Sequence, residues 1–279
     1  MLNAKAFKNN EQVAWDLCAE RYDRCLTIPF TPFSRKLVRL ARLEKGDQVL
    51  DVATGSGLAA LMAAKSVGPE GRVTGVDLSG TMIELARRRA SVEGTPNVEF
   101  LQMDAEKLEF ADKSFDAILC ALGLMLFPQP GKALAEMHRV VRKGGRVALS
   151  VFGRGSRVAL RAFMEPFIPH MPPPPQRGPS TFGFGHTEVL EEALDKAGFS
   201  EIRTQQESHV LSFEGAEGVW EMVLSLGRLA QMHSRLPQEK REEVRQQVLQ
   251  IAEEKYRESG GALELPFEIT YAVARKGAY

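Results

Sequence analysis

The chain predicts an α/β fold, a doubly wound seven-stranded sheet that is mostly parallel, with an antiparallel last strand and a helical cap. Three observations point there. Apolar strand patterns alternate with helical ones over residues 48–151, which implies parallel strands joined by crossovers, with helices on both faces. Residues 48–58, QVLDVATGSGL, read as an apolar strand that ends in a carboxylate and opens into a glycine turn. Residues 73–79, VTGVDLS, read as a second strand whose last residue, Asp77, stands 22 positions after Gly55. Strand, Gly-rich turn, helix and acid-tipped strand together make a nucleoside-binding βαβ unit.

The elements follow in order. Residues 11–25 place Val13, Trp15, Leu17, Cys18, Tyr22 and Cys25 among polar residues, predicting a helix that Pro29 and Pro32 end. A second helix is expected over 33–43. Strand 49–53 precedes a helix from about 57 to 66. Strand 72–77 precedes a helix from Ser79, where Thr81-x-x-Glu84 offers a capping box. Strands 98–104 and 115–122 follow. Pro130 suits the first turn of a helix ending near Arg142, with Gly144-Gly145 as its stop, and 146–151 is the fifth strand. Residues 153–185 are rich in Gly, Pro and Arg and predict a loop, with the prolines at 172–175 as a stiff connector. Residues 187–197 form a short helix closed by Gly198, and 199–213 alternate as a strand. Residues 216–258 predict two helical stretches split by Pro237, the second striped by Val244, Val248 and Ile251. The last strand, 266–275, is expected to insert antiparallel beside its predecessor. The organisation expected is an N-terminal helical cap segment over 1–36 and a cofactor-binding core over 37–153. A variable substrate-side segment then spans 154–198. The last two strands lie in 199–279, with an inserted helical cap at 215–260.

Composition excludes several classes. Lys+Arg and Asp+Glu both number 36, so no net positive charge suggests a nucleic-acid partner. Cys18, Cys25 and Cys120 form no CxxC pair and read as thiols in a reducing cytoplasm. The longest apolar run, 117–127, falls short of the roughly 20 residues a membrane span needs. The first residues lack the apolar run of a secretory leader. No metal-ligand spacing of His, Asp, Glu or Cys stands out. Monomer and homodimer both remain open.

Two cofactor readings compete at the glycine turn. Gly55-Ser-Gly57-Leu-Ala-Ala60 matches the G-x-G-x-x-A dinucleotide pattern, which supports an NAD-dependent oxidoreductase. Asp51, four residues before Gly55, opposes it, because a carboxylate there faces a diphosphate unfavourably. That acid suits a cationic ligand, such as the amino group and sulfonium of S-adenosylmethionine. DVATGSG at 51–57, VDLS at 76–79, QMDAE at 102–106 and VRKGGRV at 141–147 resemble the successive motifs of class I S-adenosylmethionine-dependent methyltransferases. The nearest likeness is to the small-molecule branch that includes the menaquinone and ubiquinone methyltransferases. It covers about residues 37–151 and continues weakly through Ala197-Gly198-Phe199 to the terminal strand.

The resemblance implies a Rossmann-like core and S-adenosylmethionine as cofactor, with S-adenosylhomocysteine as product. It places Asp51 near the methionine amino group, within a motif that also carries Ala53 and Thr54. Gly55 and Gly57 let the backbone approach the ligand. Asp77 accepts from the ribose hydroxyls. Leu78 and Met82 pack against adenine, Asp104 accepts from its amino group, and Ala105 offers a backbone N–H. Ala121, Leu122 and Gly123 lie under the methionine portion.

Methyl transfer is an in-line displacement, so the protein must bring a nucleophile to about 3–3.5 Å and exclude water. A base is needed only where the nucleophile sheds a proton. Phe163, Phe167, Trp220 and Met222 in the cap favour an apolar or aromatic small molecule, although packing the cap onto the sheet also explains them. His186 is a candidate general base, with helix capping as the other reading. Tyr22 is a candidate to line the pocket and touch substrate, with simple helix packing as the other. His138 reads as structural. O- or C-methylation is favoured. GLMLFP after the fourth strand replaces the N/D-P-P-Y/F motif of nucleic-acid methyltransferases. An accessory or non-methylating protein on the same fold is a third reading.

Overall fold

Seven strands form one sheet: β1 (Gln48–Val52), β2 (Arg72–Asp77), β3 (Val98–Gln102), β4 (Phe115–Ala121), β5 (Val141–Phe152), β6 (Phe199–Phe213) and β7 (Leu263–Lys276). A computed structural model describes residues 4–171, 180–258 and 261–277, so the proline run at 172–175 lies outside the described residues. The strand order is β3-β2-β1-β4-β5-β7-β6. The first five strands pair in parallel, and β7 runs antiparallel between β5 and β6, as expected. The winding reverses between β1 and β4, so a crevice opens at the carboxyl ends of those two strands, where sheets of this type bind ligands. Val49, Leu50, Ile118 and Leu119 are fully buried there, because helices cover both faces of these central strands. β6 alternates and carries charges such as Glu201 and Arg203, which suits an edge.

The helices are α1 (Ala4–Leu26), α2 (Thr31–Ala41), α3 (Leu58–Val67), α4 (Gly80–Val92), α5 (Pro130–Val140), α6 (Leu160–Met164), α7 (Thr187–Lys196), α8 (Ala216–Val223), α9 (Gly227–Arg235) and α10 (Gln238–Tyr256). Several expectations need correction. Pro32 begins α2 instead of ending α1, since its fixed φ suits a first helical turn. The cap of α4 is Ser79, whose hydroxyl accepts from Met82 N at 3.1 Å; Thr81 lies inside the helix. α5 stops at Val140, before the two glycines, because Val141 is already extended and pairs with Phe115. Gly144 and Gly145 instead occupy a bulge in β5, between the pairs Phe115–Val141 and Ala117–Arg146. A Cβ on Gly145 would fall 2.9 Å from Asp116 O. Residues 153–185 are not simply a loop: α6 buries Phe163, and a 3₁₀ turn over Glu165–His170 buries Phe167. Three helices, not two, fill 216–258. The extra break falls after α8, where the buried Ser225 hydroxyl donates to Glu221 O at 2.7 Å.

α1 and the helices between β6 and β7 gather on the side of the strands' carboxyl ends. α1 packs on α4, α8 and α9. Gly227 opens α9 because a Cβ there would press on the Trp15 ring at 3.0 Å. Arg228 pairs with Glu11 at 2.6 Å, Arg21 with Glu221 at 3.1 Å, and Arg88 with Glu20 at 2.5 Å. α10 buries Val244, Val248 and Ala252, while Ile251 is half-buried. Val219, Trp220, Val223, Val244 and Val248 belong to the same apolar core as the sheet. Each such side chain contributes about 1.5–3 kcal/mol by burial, so their sum rivals a domain's whole stability of about 5–15 kcal/mol. Excision of residues 216–258 is therefore expected to give insoluble protein on expression. A soluble, folded product that had lost only turnover would show these helices to be a dispensable cover. No helix among the described residues is long and apolar enough to cross a membrane.

Candidate functional site

The chain leaves β1 through a turn built of left-handed residues: Ala53 at φ 56°, Gly55 at 54° and Gly57 at 85°. Ala53 adopts this conformation against its Cβ, a strain that clusters at ligand sites. Thr54 N donates to Val76 O at 2.9 Å, and Gly57 N to Thr54 O at 3.0 Å. Gly57 starts α3, and a Cβ there would meet Phe100 at 3.0 Å and Ala86 at 3.1 Å. The turn brings Gly55 N to Asp77 Oδ2 at 2.8 Å, across the 22 residues that separate them. Asp77 Oδ1 accepts from Ser79 N at 2.9 Å. Burial pushes the Asp77 carboxyl above its ordinary range, against the pull of those amides.

Asp51 is wholly buried in β1. Its Oδ2 accepts from the Thr54 hydroxyl at 2.7 Å, whereas Oδ1 has no partner. Burial raises its pKa to about 7, although the Thr54 hydroxyl and the Ala60 amide favour the charged form. A buried acceptor left without a donor costs about 1–3 kcal/mol, which a cationic donor would recover.

Over this turn lie α1 and α2. Tyr22, Thr27, Phe30, Phe33, Ser34, Ala53, Thr54, Gly55, Ala121, Leu122 and Ser150 enclose a cavity of about 40 Å³, room for about one water. The Tyr22 ring reaches over Gly55 and packs edge-on to Trp15 and Phe30, at 5.9 and 6.3 Å between centroids. Burial, and then the nearby Asp77 charge, push its phenol well above the ordinary range, so it stays neutral. Leu122 is left-handed at φ 55°, and its N–H donates to Ser150 O at 2.9 Å. A Cβ on Gly123 would fall 2.6 Å from that of Ala53, so the ends of β1 and β4 touch.

Farther along the crevice, Leu78 is half-buried and Ala105 is buried. Met82 is only 2% exposed, sealed beneath α1 with Ala19, Trp15 and Tyr22. Asp104 Oδ1 accepts from Glu106 N at 2.9 Å, and Oδ2 from Lys8 Nζ at 2.7 Å. Lys8 also reaches Glu106 Oε2, at 2.6 Å. Nothing local in the sequence marks Lys8, because 96 residues separate it from Asp104.

Tyr22 thus shares one cavity with Ala53, Thr54, Gly55, Ala121 and Leu122, with Asp51 and Asp77 set about the same turn. His186 does not line that cavity: it is exposed at the start of α7 and makes no side-chain cap bond. His138 packs edge-on to Phe199 at 5.0 Å, as a structural residue would. His209, in β6, stands behind the cavity wall, 3.3 Å from the Tyr271 hydroxyl and packed on Phe33 at 4.8 Å between centroids, and no motif marks it. The cavity residues Thr27, Phe30, Phe33, Ser34 and Ser150 likewise carry no motif and meet only in the fold.

A family model described as a methyltransferase domain matches residues 49–145. The chain is 34% identical over 166 residues to aklanonic acid methyltransferase DauC of Streptomyces sp. (strain C5), covering 59% of this chain and 76% of that protein. It is 32% identical over 181 residues to the demethylmenaquinone methyltransferase of Listeria monocytogenes, covering 61% and 76%. The fold matches the crystal structure of the YcgJ protein of Bacillus subtilis with a TM-score of 0.60, at 18% identity, covering 88% and 98%. These likenesses displace the oxidoreductase reading of the glycine turn. The chain belongs to the methyltransferase family, in the class I S-adenosylmethionine-dependent group.

Proposed function

We propose that the protein transfers a methyl group from S-adenosylmethionine to a small apolar or aromatic molecule, at oxygen or carbon, with S-adenosylhomocysteine as product. The observation that carries this reading is the buried Asp51 Oδ1, an acceptor without a donor at the end of β1. Such an oxygen suits an ammonium group and opposes a diphosphate. The residues present fit the cofactor. Asp51 would hold its amino group, and Asp77 its ribose hydroxyls through the lone pairs that Gly55 and Ser79 leave free. Leu78 would flank the adenine, Asp104 would accept from its amino group, and the Ala105 N–H would complete the edge. Bound there, the cofactor supplies a methyl group already activated on a sulfonium.

The rest falls to the chain's own residues. α1 and α2 exclude water by covering the turn. The cavity as it stands holds about one water, so an acceptor enters only when α1 and α2 draw back from the turn; Tyr22, Phe30 and Phe33 would then flank a flat acceptor, and Ser34 and Ser150 would offer hydroxyls to its polar atoms. Tyr22 stays neutral and so serves as a donor. The relatives named for aklanonic acid and demethylmenaquinone support a small-molecule acceptor. The unpaired thiols of Cys18, Cys25 and Cys120 suit a reducing cytoplasm.

Calorimetric titration with S-adenosylmethionine, S-adenosylhomocysteine, NAD and NADH tests the cofactor. Micromolar binding of the first pair alone is expected; binding of the nicotinamide pair instead overturns the reading. A screen of phenols and quinols, scored by S-adenosylhomocysteine released, then tests turnover.

A further inference from the structure

We infer that Lys8 is a positioning residue that sets the purine selectivity of the cofactor site by holding the Asp104 carboxylate toward a 6-amino group. This inference rests on the proposed cofactor reading and goes beyond it to a residue outside every motif.

Lys8 bridges two carboxylates, with Nζ 2.7 Å from Asp104 Oδ2 and 2.6 Å from Glu106 Oε2. One end of the bridge is anchored. The Glu106 side chain is 3% exposed and accepts from Gln129 N at 2.7 Å. The other end is open, since the Asp104 side chain is 33% exposed. With Lys8 on Oδ2 and the Glu106 amide on Oδ1, the carboxylate plane is defined by two donors. Each oxygen retains a further lone pair. A 6-amino purine donates to such an oxygen, whereas a 6-oxo purine presents an acceptor to it and is repelled. A site built to accept from a donor rejects the analogue that lacks it. Without Lys8, Asp104 and Glu106 face each other as like charges with no shared cation, and Asp104 is free to turn away.

Simple fastening of α1 is the competing explanation, and the structure makes Lys8 redundant for it. Asp16 accepts from the Ser79 hydroxyl, Glu20 pairs with Arg88 and Asp23 with Arg89, all on α4 or its cap. Arg21 and Arg24 pair with Glu221, and Glu11 with Arg228, on α8 and α9. Burial alone would lower the Lys8 pKa, yet the bonds to Asp104 and Glu106 raise it on balance, consistent with a cation committed to those acids.

The test compares S-adenosylhomocysteine with S-inosylhomocysteine by calorimetry on the full chain. The variants are Lys8→Met, Lys8→Gln, Lys8→Arg, Asp104→Asn and the Lys8→Met/Asp104→Asn double. The parent protein is expected to favour the adenosyl ligand by about tenfold or more. Lys8→Met and Lys8→Gln should shrink that ratio by about tenfold, mainly through weaker adenosyl binding. Lys8→Arg should restore it. In the Asp104→Asn background, Lys8→Met should change the ratio no further, because both act through one carboxylate. A ratio unchanged in both neutral variants, whatever the two affinities do, overturns the inference and leaves Lys8 a fastener of α1. Failure of the parent protein to bind either thioether overturns the cofactor reading, and this inference with it.

Discussion

Asp51→Asn is expected to weaken S-adenosylhomocysteine binding by about a hundredfold at pH 8 and to abolish most of its pH dependence. The carboxylate is wholly buried and one oxygen lacks any donor, so an ammonium placed there gains a charge-assisted bond in a medium with little screening. Removing one partner of such a pair costs about 3–5 kcal/mol, part of which is returned because Asn carries no buried charge. With the Asp51 pKa near 7, the carboxyl is neutral at pH 5.5 and must release a proton to bind the cation. Dissociation constants should therefore rise about tenfold per pH unit below 7 and level off above it.

Stability should move the opposite way. The folded pKa is raised above the ordinary 3.8, so the contribution of Asp51 to stability is full below 3.8 and is lost as pH rises through about 7. Asp51→Asn should then be more stable than the parent at pH 8 without ligand, by about 2–4 kcal/mol of unfolding free energy, yet gain little when ligand is added. An affinity that is unchanged, or flat with pH in the parent, would remove Asp51 from the site.

Asp77→Ala should lower cofactor affinity by about ten- to a hundredfold, from ribose hydroxyls left unpaired at about 1–3 kcal/mol. The structure adds a second cost. Asp77 also ties Gly55 N and Ser79 N, so its loss frees the glycine turn and the start of α4 together. The two effects separate with the 2′-deoxyadenosyl analogue of the product. The parent should discriminate against it and Asp77→Ala should not, whereas a turn that merely loosens would weaken both ligands alike. Unchanged affinity for the natural thioether would sink the assignment of the ribose acid.

Legibility in the sequence followed the range of the interaction that decides each feature. β2 and β6 match their expected bounds residue for residue, because side-chain pattern alone marks them. Gly144-Gly145 suit a helix stop in the sequence but sit in the bulge of β5, since glycines signal a left-handed residue without saying which element needs it. The helix does start at Ser79 as expected, but Ser79 caps it and not the Thr81-x-x-Glu84 spacing, because only the fold fixes which of two nearby hydroxyl residues has the extended backbone of a cap. The break between α8 and α9 has no proline. It arises where Ser225 turns back on the helix and Gly227 admits Trp15, a residue more than two hundred positions away.

The sequence by itself determined the parallel core, the inserted antiparallel strand and the order of the acids Asp51, Asp77 and Asp104. These rest on strand periodicity and on spacing within single βαβ units, which are local. Only the tertiary structure decided that Asp51 keeps an oxygen without a donor, that Tyr22 lies over Gly55, that His186 stands apart in solvent, and that Lys8 reaches Asp104. Burial and ion pairing between distant segments set those features. No periodicity encodes them, because they arise only when α1 and α2 close over the crevice.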